Sequence, residues 1–528
     1  MRAAAIRRWE IIVAIAVTTV VIVLLIVKAA HAGPLWRDEC GMAQLAKMRV
    51  IDVFENFQHQ TSPPLFGLVV HFYVQLFGSG DAALRRFGFI VGLGMLAISW
   101  FNARVAARGG VPLLFLALIG LNSTFLISGT SIRGYGFGSA LLLLALGLSV
   151  KALFDPTSRN LAALSAVAIA SIYCLANNVP LVGSIALAAA IILFTKRRYR
   201  AVVITCGLTT IAALAFLPVA YQYLSSTWAR VVQIPTDAGA LFPKFLSSLG
   251  EPLVVTATIW SAAAVLALVA AMPKKEKERP APNLRVCLAL FCALSIFAYY
   301  EFLKLLGYPT RSWYYLPLIC SLAGAMDLIV NLAARTAALR IARLALALVA
   351  LLVMPFMLRA AAIQRASNMD LVVAELEKDA SPNDLVVVNP WYLGVSFQWH
   401  YHGALRWMSS PPIAELRLHR YDQFKEAMQR TDPLADVRAA IEQTLRNGNR
   451  VWLVGGARPP EPDLPLSIQP APDPEFGWSG QVYVNVWSMQ LADFLQKHVR
   501  EGTTALSPVE NVNPDENVAL LVARGWQD

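Results

Sequence analysis

The chain has 528 residues, 57% of them hydrophobic and 15% charged, with a mean hydropathy of +0.53 and a formal charge of +11. That balance is too apolar for an ordinary water-soluble globule. It also gives no nucleic-acid signal, because residues 1–360 carry 31 basic against 13 acidic side chains while residues 361–528 carry 14 against 21.

The first part (1–360) therefore reads as a basic membrane domain and the second (361–528) as a mildly acidic, mostly polar one. MRAAAIRRWE leads into the apolar run IIVAIAVTTVVIVLLIV. AHA at 30–32 resembles a signal-peptide cleavage site, but the run is longer than a signal core and many more follow, so a retained first helix is expected. A span needs about 20 apolar residues. Runs of that kind occupy 10–30, 84–104, 111–127, 136–154, 160–176, 179–195, 201–222, 251–272, 285–306, 314–334 and 341–359, eleven in all. Gly, Pro and polar residues punctuate them.

Basic residues mark cytoplasmic ends. Arg2, Arg7 and Arg8 place the N-terminus inside. Alternation then places Arg104/Arg108, Lys151/Arg159, Lys196 to Arg200, Lys274 to Arg279 and Arg335/Arg340 on the same side. The C-terminal domain falls outside. This requires that residues 63–78 do not span. The segment is short, and its Gly67, His71 and Gln75 form a polar stripe at i, i+4, i+8, as expected of a helix lying in the outer interface. Residues 42–59 divide likewise into an apolar face (Met42, Ala46, Val50, Phe54, Phe57) and a polar one (Gln44, Lys47, Asp52, Glu55). Five of the six cysteines fall in apolar runs, none falls in the polar domain, and no CxxC pair exists, so no disulfide framework or metal cluster is expected.

The outer-facing segments collect charge. Asp38 and Glu39 follow the first span, Arg85 and Arg86 open the second, and Arg133 and Tyr135 lie in SGTSIRGYGFG between the third and fourth. Glu301 and Lys304 lie near the outer end of the ninth span, Arg311 in GYPTRSWYYLP, and His59 at a loop edge where it could contact substrate. Carboxylates beside several cations suit a reaction that takes a proton from a hydroxyl and stabilises a departing phosphate. Each residue has a plainer alternative. Asp38-Glu39 could be an interfacial acidic cap, Arg85 and Arg86 could snorkel to headgroups, Glu301 and Lys304 could be an intrahelical pair, His71 a satisfied interfacial histidine, and Asp327 a helix-packing group.

Four stretches, in order, resemble the GT-C glycosyltransferases that use polyprenyl-phosphate sugars. The look is nearest to family 39, which includes protein O-mannosyltransferases and aminoarabinose transferases. They are WRDE (36–39), SPPLFGLVVHFYVQLFGSGDAALRRFGFIVG (62–92), SIRGYGFGSALLLLAL (131–146) and TRSWYYLPLIC (310–320). The resemblance implies a polytopic α-helical membrane protein of GT-C type, with about eleven transmembrane helices, interfacial helices and a C-terminal extracytoplasmic α/β domain. It implies Asp38 as catalytic base and Glu39 as its aid or an acceptor contact. Arg133, Lys304 and Arg311, with Tyr135 nearby, would hold donor phosphate, and Arg85, Arg86 and His59 join them as substrate contacts. Two departures stand out. Ser62 precedes the double proline where relatives often carry a charged or imidazole side chain, and Gly134 stands where proline is common. A metal or acceptor contact through that side chain does not carry over, and the resemblance leaves a divalent cation open as cofactor.

In the polar domain, DLVVVN (384–389) and VWLVGG (451–456) read as strands, with helical spacing in WYLGVSFQWHYHG and in 432–450. Strand, helix and strand suggest a parallel sheet. No Gly-rich phosphate loop is present, so acceptor recognition or scaffolding is expected of it rather than nucleotide binding. His400 and His402 make a poor chelate. GARPPEPDLPLSIQPAPDPEF (456–476) reads as a Pro-rich surface loop.

The expected function is transfer of one sugar from a polyprenyl-phosphate donor to a hydroxyl of an envelope lipid, polysaccharide or protein, with inversion, on the outer face of a bacterial inner membrane. A lipid or glycan transporter and a non-catalytic envelope scaffold are the alternatives.

Overall fold

The apolar runs fold as helices because the bilayer core offers no water to a backbone amide, so each span must satisfy its own. A computed structural model describes residues 2–60, 62–195, 197–225, 238–272, 281–307, 310–333, 336–462 and 464–528. The expected basic cluster at Lys274 to Arg279, together with Lys196 and Arg335, lies outside the described residues. In chain order the helices are α1 (Arg2–His31), α2 (Arg37–Lys47), α3 (Val50–Asn56), α4 (Pro64–Phe77), α5 (Asp81–Ala106), α6 (Leu113–Phe115), α7 (Ser123–Ser128), α8 (Gly134–Phe154) and α9 (Ser158–Cys174). They continue with α10 (Val179–Thr195), α11 (Tyr199–Ser225), α12 (Ala238–Ser248), α13 (Leu253–Ala271), α14 (Ala281–Leu306), α15 (Leu316–Ala333) and α16 (Ala337–Met357). Among the described residues eight helices are long and apolar enough to cross a membrane, and α4, α9 and part of α11 form shorter apolar helices.

The expected span at 111–127 is not one helix. α6 passes into a five-residue π turn, Leu116–Gly120, and the chain restarts at α7. The Asn122 side chain accepts from the Phe125 amide at 3.0 Å and donates to the Leu249 carbonyl at 2.7 Å. Asp327, inside α15, accepts from the Leu114 amide at 2.9 Å. Side chains thus replace the backbone bonds that the break removes, as irregular backbone at membrane depth requires. Asp327 also receives Asn331 Nδ2 at 3.0 Å. Arg343 donates to Asn331 Oδ1 at 2.9 Å and to Glu10 Oε1 at 2.7 Å. This buried chain of polar groups ties α1, α6, α15 and α16 together.

The two segments expected at the interface differ from the sequence reading. Residues 42–59 do not form one two-faced helix. α2 ends at Lys47, α3 runs from Val50, and a 3-10 turn covers Phe57–His59. The expected apolar face is divided, with Met42 and Ala46 fully covered and Val50 and Phe54 exposed. In α4 the polar stripe is buried at Gly67 and His71 and exposed at Gln75. His71 Nδ1 lies 2.8 Å from the Ala46 carbonyl, and Gly67 lets Val53 approach. At 14 residues α4 is about 21 Å long, short of a ~30 Å hydrocarbon core.

After a short helix, α17 (Arg359–Ile363), the chain becomes α/β. Helices α18 (Met369–Asp379), α19 (Gly394–His400), α20 (Tyr421–Met428), α21 (Ala435–Arg446) and α22 (Gly480–His498) accompany strands β1 (Leu385–Val388), β2 (Arg406–Ser409), β3 (Val451–Val454), β4 (Val499–Leu506) and β5 (Leu520–Trp526). The sheet order is β2-β1-β3-β5-β4. β1 and β3 are parallel, as the strand–helix–strand pattern suggests; β2 adds a parallel strand beside β1, and β5 and β4 extend the sheet antiparallel, three strands that the sequence reading lacked. Side chains alternate across β1. Val386 and Val388 pack with α18 and α19, and Leu385 and Val387 with α21 and α22. The α/β part does not hang from a linker. Leu35, Met42, Leu45 and Phe66 share one apolar cluster with Trp391, Leu416, Phe424 and Trp487. Helices α2 and α4 are thereby pressed between the bundle and the α/β part.

Candidate active site

Helix α2 starts where the chain leaves the first span. Arg37, Asp38 and Glu39 form its first turn, and a helix N-terminus favours carboxylates there. Successive helical residues point about 100° apart, so the two acids meet different neighbours. Glu39 turns inward and is 1% exposed. Both its oxygens lie 2.9 Å from Arg85 Nη1, and it also accepts from the Ile132 amide at 2.9 Å. Arg85 spends its other donors on the carbonyls of Gly33 and Pro34. The pair is a clasp joining α2, α5 and the segment before α8.

Asp38 stays partly open, with 23% of its side chain exposed. Arg133 Nη2 lies 3.0 Å from Oδ2, and His419 Nε2 lies 3.5 Å from Oδ1. Burial favours the neutral acid, but Arg133, His419, Arg37 and Arg311 outweigh it and hold the carboxyl below its usual range. It is therefore a carboxylate at neutral pH. Arg133 is buried, and its guanidinium lies 5.0 to 5.4 Å from the ring centres of Trp36, Tyr135 and Trp313. The Tyr135 ring lies 5.7 Å from Tyr314.

Close backbone packing sets Arg133 in place. A Cβ at residue 136 would collide with the Gly129 carbonyl, and one at 134 would come within 2.6 Å of the Cys174 carbonyl. The two departures from the resemblance meet here, since the Gly134 amide donates to Ser62 Oγ at 3.1 Å. A proline at 134 would have neither that N–H nor the room.

The other sequence candidates divide. Arg311 is exposed at 6.0 Å from the Trp313 ring, near enough for its charge to act on Asp38. His59 lies beside Asp422 and Arg420 and is hydrogen-bonded to the His419 backbone, and burial lowers its pKa. Arg86 is exposed and turns back to the Ala82 carbonyl. Lys304 is 54% exposed and lies 3.9 Å from Glu301, an intrahelical pair. Among the described contacts neither Arg86 nor Lys304 reaches the Asp38 group.

The sequence reading missed what the α/β part brings. Arg37 donates its amide to Glu516 at 2.8 Å and Nη1 to the Asp515 carbonyl at 2.6 Å. His419 sits in LHRYD with no spacing that links it to residue 38. Lys28, at the end of α1, donates to the Gln364 carbonyl at 2.7 Å. With Trp36, Glu39, Arg85, Arg133 and Trp313, and a wall rich in Ser and Thr, Lys28 lines a cavity of about 340 Å³. Among the described residues no three His, Cys, Asp or Glu side chains stand close enough to hold a metal ion. His400 instead faces the Leu35 carbonyl at 3.0 Å and Asp81 at 3.8 Å.

The seam between the two parts titrates in two opposed ways. Burial lowers His419 from 6.5 to about 4, against Asp38 and with Arg37, Arg133 and His59. Its stabilisation is full above 6.5 and lost as pH falls through 4. Burial raises Glu516 from 4.5 to about 7, against Arg37. Its stabilisation is full below 4.5 and lost as pH rises through 7. The two slopes oppose each other in the native chain and separate in variants. Hydrogen exchange of 410–425 in Glu516→Gln is expected to quicken as pH falls from 6.5 to 4, after correction for intrinsic exchange. In His419→Gln it is expected to quicken as pH rises from 4.5 to 7. Matching profiles in the two variants would contradict this assignment.

No family model and no curated protein sequence matches the chain. Solved structures do. ArnT from Cupriavidus metallidurans in the apo state aligns with a TM-score of 0.50 at 12% identity, over 83% of this chain and 92% of that one. The same protein bound to undecaprenyl phosphate aligns with a TM-score of 0.49 at 11% identity, with the same coverage. At this identity the apo likeness establishes the fold, which is GT-C, in a multi-pass membrane protein.

Proposed function

We propose that the chain is an inverting glycosyltransferase that moves a sugar from a polyprenyl-phosphate donor to a hydroxyl acceptor at the outer face of a bacterial inner membrane. The observation that carries the reading is a partly open carboxylate, Asp38, held beside a buried arginine that also borders a cation- and hydroxyl-lined cavity. The GT-C fold and the four ordered motifs agree with it.

The chemistry follows from the charges. The acceptor hydroxyl approaches Asp38, and its oxygen attacks the anomeric carbon from the face opposite the phosphate. Its proton passes to the carboxylate. The bond between the anomeric carbon and the phosphate oxygen breaks, and the lipid phosphate keeps the electron pair. Arg133 and Arg311 offset the charge that this oxygen gains, with Tyr135 beside them. Glu39 and Arg85 hold α2 rather than touch the reacting atoms. One carboxylate at the centre, with the second locked in a clasp, suits a single displacement and leaves no partner for a covalent intermediate.

The orientation is supported by charge and position. Arg7 Nη2 donates to the Arg108 carbonyl at 3.3 Å, so the basic N-terminus and the basic end of α5 share one end of the bundle, assigned to the cytoplasm. Asp38 and the α/β part (361–528) occupy the other, assigned to the outer side. Its packing over α2 fits a role in binding the acceptor, be it lipid, polysaccharide or protein.

Mass spectrometry of envelope glycolipids, polysaccharides and proteins tests this. A strain lacking the gene is expected to lose one product mass equal to a single sugar residue, and the wild-type chain is expected to restore it. An unchanged envelope would set the transferase reading aside.

A further inference from the structure

We propose that His419, supplied by the α/β part, is a positioning residue that fixes the Asp38 carboxylate by donating to Oδ1 while Arg133 holds Oδ2. The inference rests on the transferase reading above and deepens it by making the outer part a component of the active site.

Three observations meet at this side chain. His419 is 6% exposed, and among the described residues its Nε2 has no hydrogen-bond partner nearer than Asp38 Oδ1 at 3.5 Å. A buried ring nitrogen 3.5 Å from one carboxylate oxygen, without a hydrogen bond in this state, is placed to form one when substrate fills the site. The ring also lies against α2 one turn beyond Asp38, where a Cβ at residue 41 would come within 3.2 Å of Nδ1 and 2.7 Å of Gln60 Nε2. Gly41 therefore admits the histidine to the same face of α2 as Asp38. The segment is held from behind as well. The Tyr421 amide donates to the His419 carbonyl at 2.8 Å, the His59 ring is bonded to the His419 backbone, and the Tyr421 ring stacks on His419 at 6.2 Å.

A neutral imidazole at this place has a defined use. With its proton on Nε2 it donates to Asp38 without cancelling the charge that makes Asp38 a base. Arg133 alone leaves the carboxylate free to turn about its last bond. A second donor fixes the plane, so the proton-accepting lone pair faces the acceptor hydroxyl on each encounter. His59 acquires a place through the same contact, as the support of the His419 loop.

Glutamine and asparagine separate this role from packing. A glutamine amide nitrogen falls near the Nε2 position of histidine and reaches Asp38, whereas an asparagine amide falls near Nδ1 and stops short. The full-length chain would be expressed in the deletion strain as wild type, His419→Gln, His419→Asn and Asp38→Asn. Product would be measured per copy of membrane protein, together with thermal melting and binding of undecaprenyl phosphate by the purified chains. Loss of a hydrogen bond to a charged group corresponds to a roughly ten- to hundredfold fall in product for His419→Asn. His419→Gln is expected to stay within about threefold of wild type, because the donor is kept. Both are expected to bind undecaprenyl phosphate and to melt as wild type does. Equal product from the glutamine and asparagine variants, or a loss that tracks melting in both, would overturn the role of His419. Full product from Asp38→Asn would instead overturn the transferase reading beneath it.

Discussion

Arg85→Met is expected to destabilise the chain by about 3–5 kcal/mol, the cost of removing one partner from a buried ion pair. Glu39 is 1% exposed and its partner's side chain 10% exposed, so bulk solvent screens the carboxylate little once the guanidinium is gone. The isolated carboxylate would keep only the amides of Ile132 and, at 3.4 Å, Trp36. Glu39→Gln combined with Arg85→Met is expected to recover much of the loss, since the amide oxygen still accepts from Ile132 and neither member of the pair is left as an unpaired buried charge. Chemical denaturation in mixed micelles measures all three chains. A double variant as unstable as Arg85→Met would show that the arginine acts through packing instead. The clasp joins α2 to α5 and to the segment carrying Arg133, so its loss also moves Asp38 relative to Arg133.

Asp38→Asn is expected to lower transfer by about 10²–10⁴-fold, the usual contribution of a positioned general base. The amide has nearly the same shape and still offers an oxygen to Arg133, but it cannot accept a proton. Arg133 keeps its three rings, so stability is expected to change far less than activity. Arg85→Met and Asp38→Asn therefore separate neighbouring functions of one helical turn. One lowers stability and, through the displaced Asp38, the rate as well; the other lowers the rate with little change in stability. A matching loss of stability and activity in both would mean that the two acids serve a single structural purpose.

Much of this arrangement was legible in the sequence, and the omissions have physical causes. Among the described residues ten of the eleven expected spans correspond to single helices, and eight of those are long and apolar enough to cross a membrane. The broken one has ordinary hydropathy. Its signals were Pro112 and Asn122, residues that interrupt or cap a helix whatever their neighbours' hydrophobicity. Asp38, Arg133, Tyr135 and Arg311 could be grouped because they recur at the same end of the spans, yet charge alone did not separate them from Arg86 and Lys304. That distinction depends on which way a side chain leaves its helix. Arg85 was expected to snorkel or to contact substrate, and its buried partner Glu39 lies 46 residues earlier, a pairing that no local pattern encodes. His419 is further removed, in a polar segment whose packing onto α2 is a tertiary event. Strand β4 was missed because its residues are largely exposed and lack apolar alternation, as an edge strand permits.

The central claim is that Asp38 takes the proton from the acceptor hydroxyl. The most direct measurement is envelope mass spectrometry of the deletion strain carrying either the wild-type chain or Asp38→Asn at equal membrane levels. The account predicts that wild type restores a product heavier by one sugar residue and that Asp38→Asn leaves it absent. Full restoration by Asp38→Asn would contradict it, and would reduce the acid pair to a helix cap at the membrane surface.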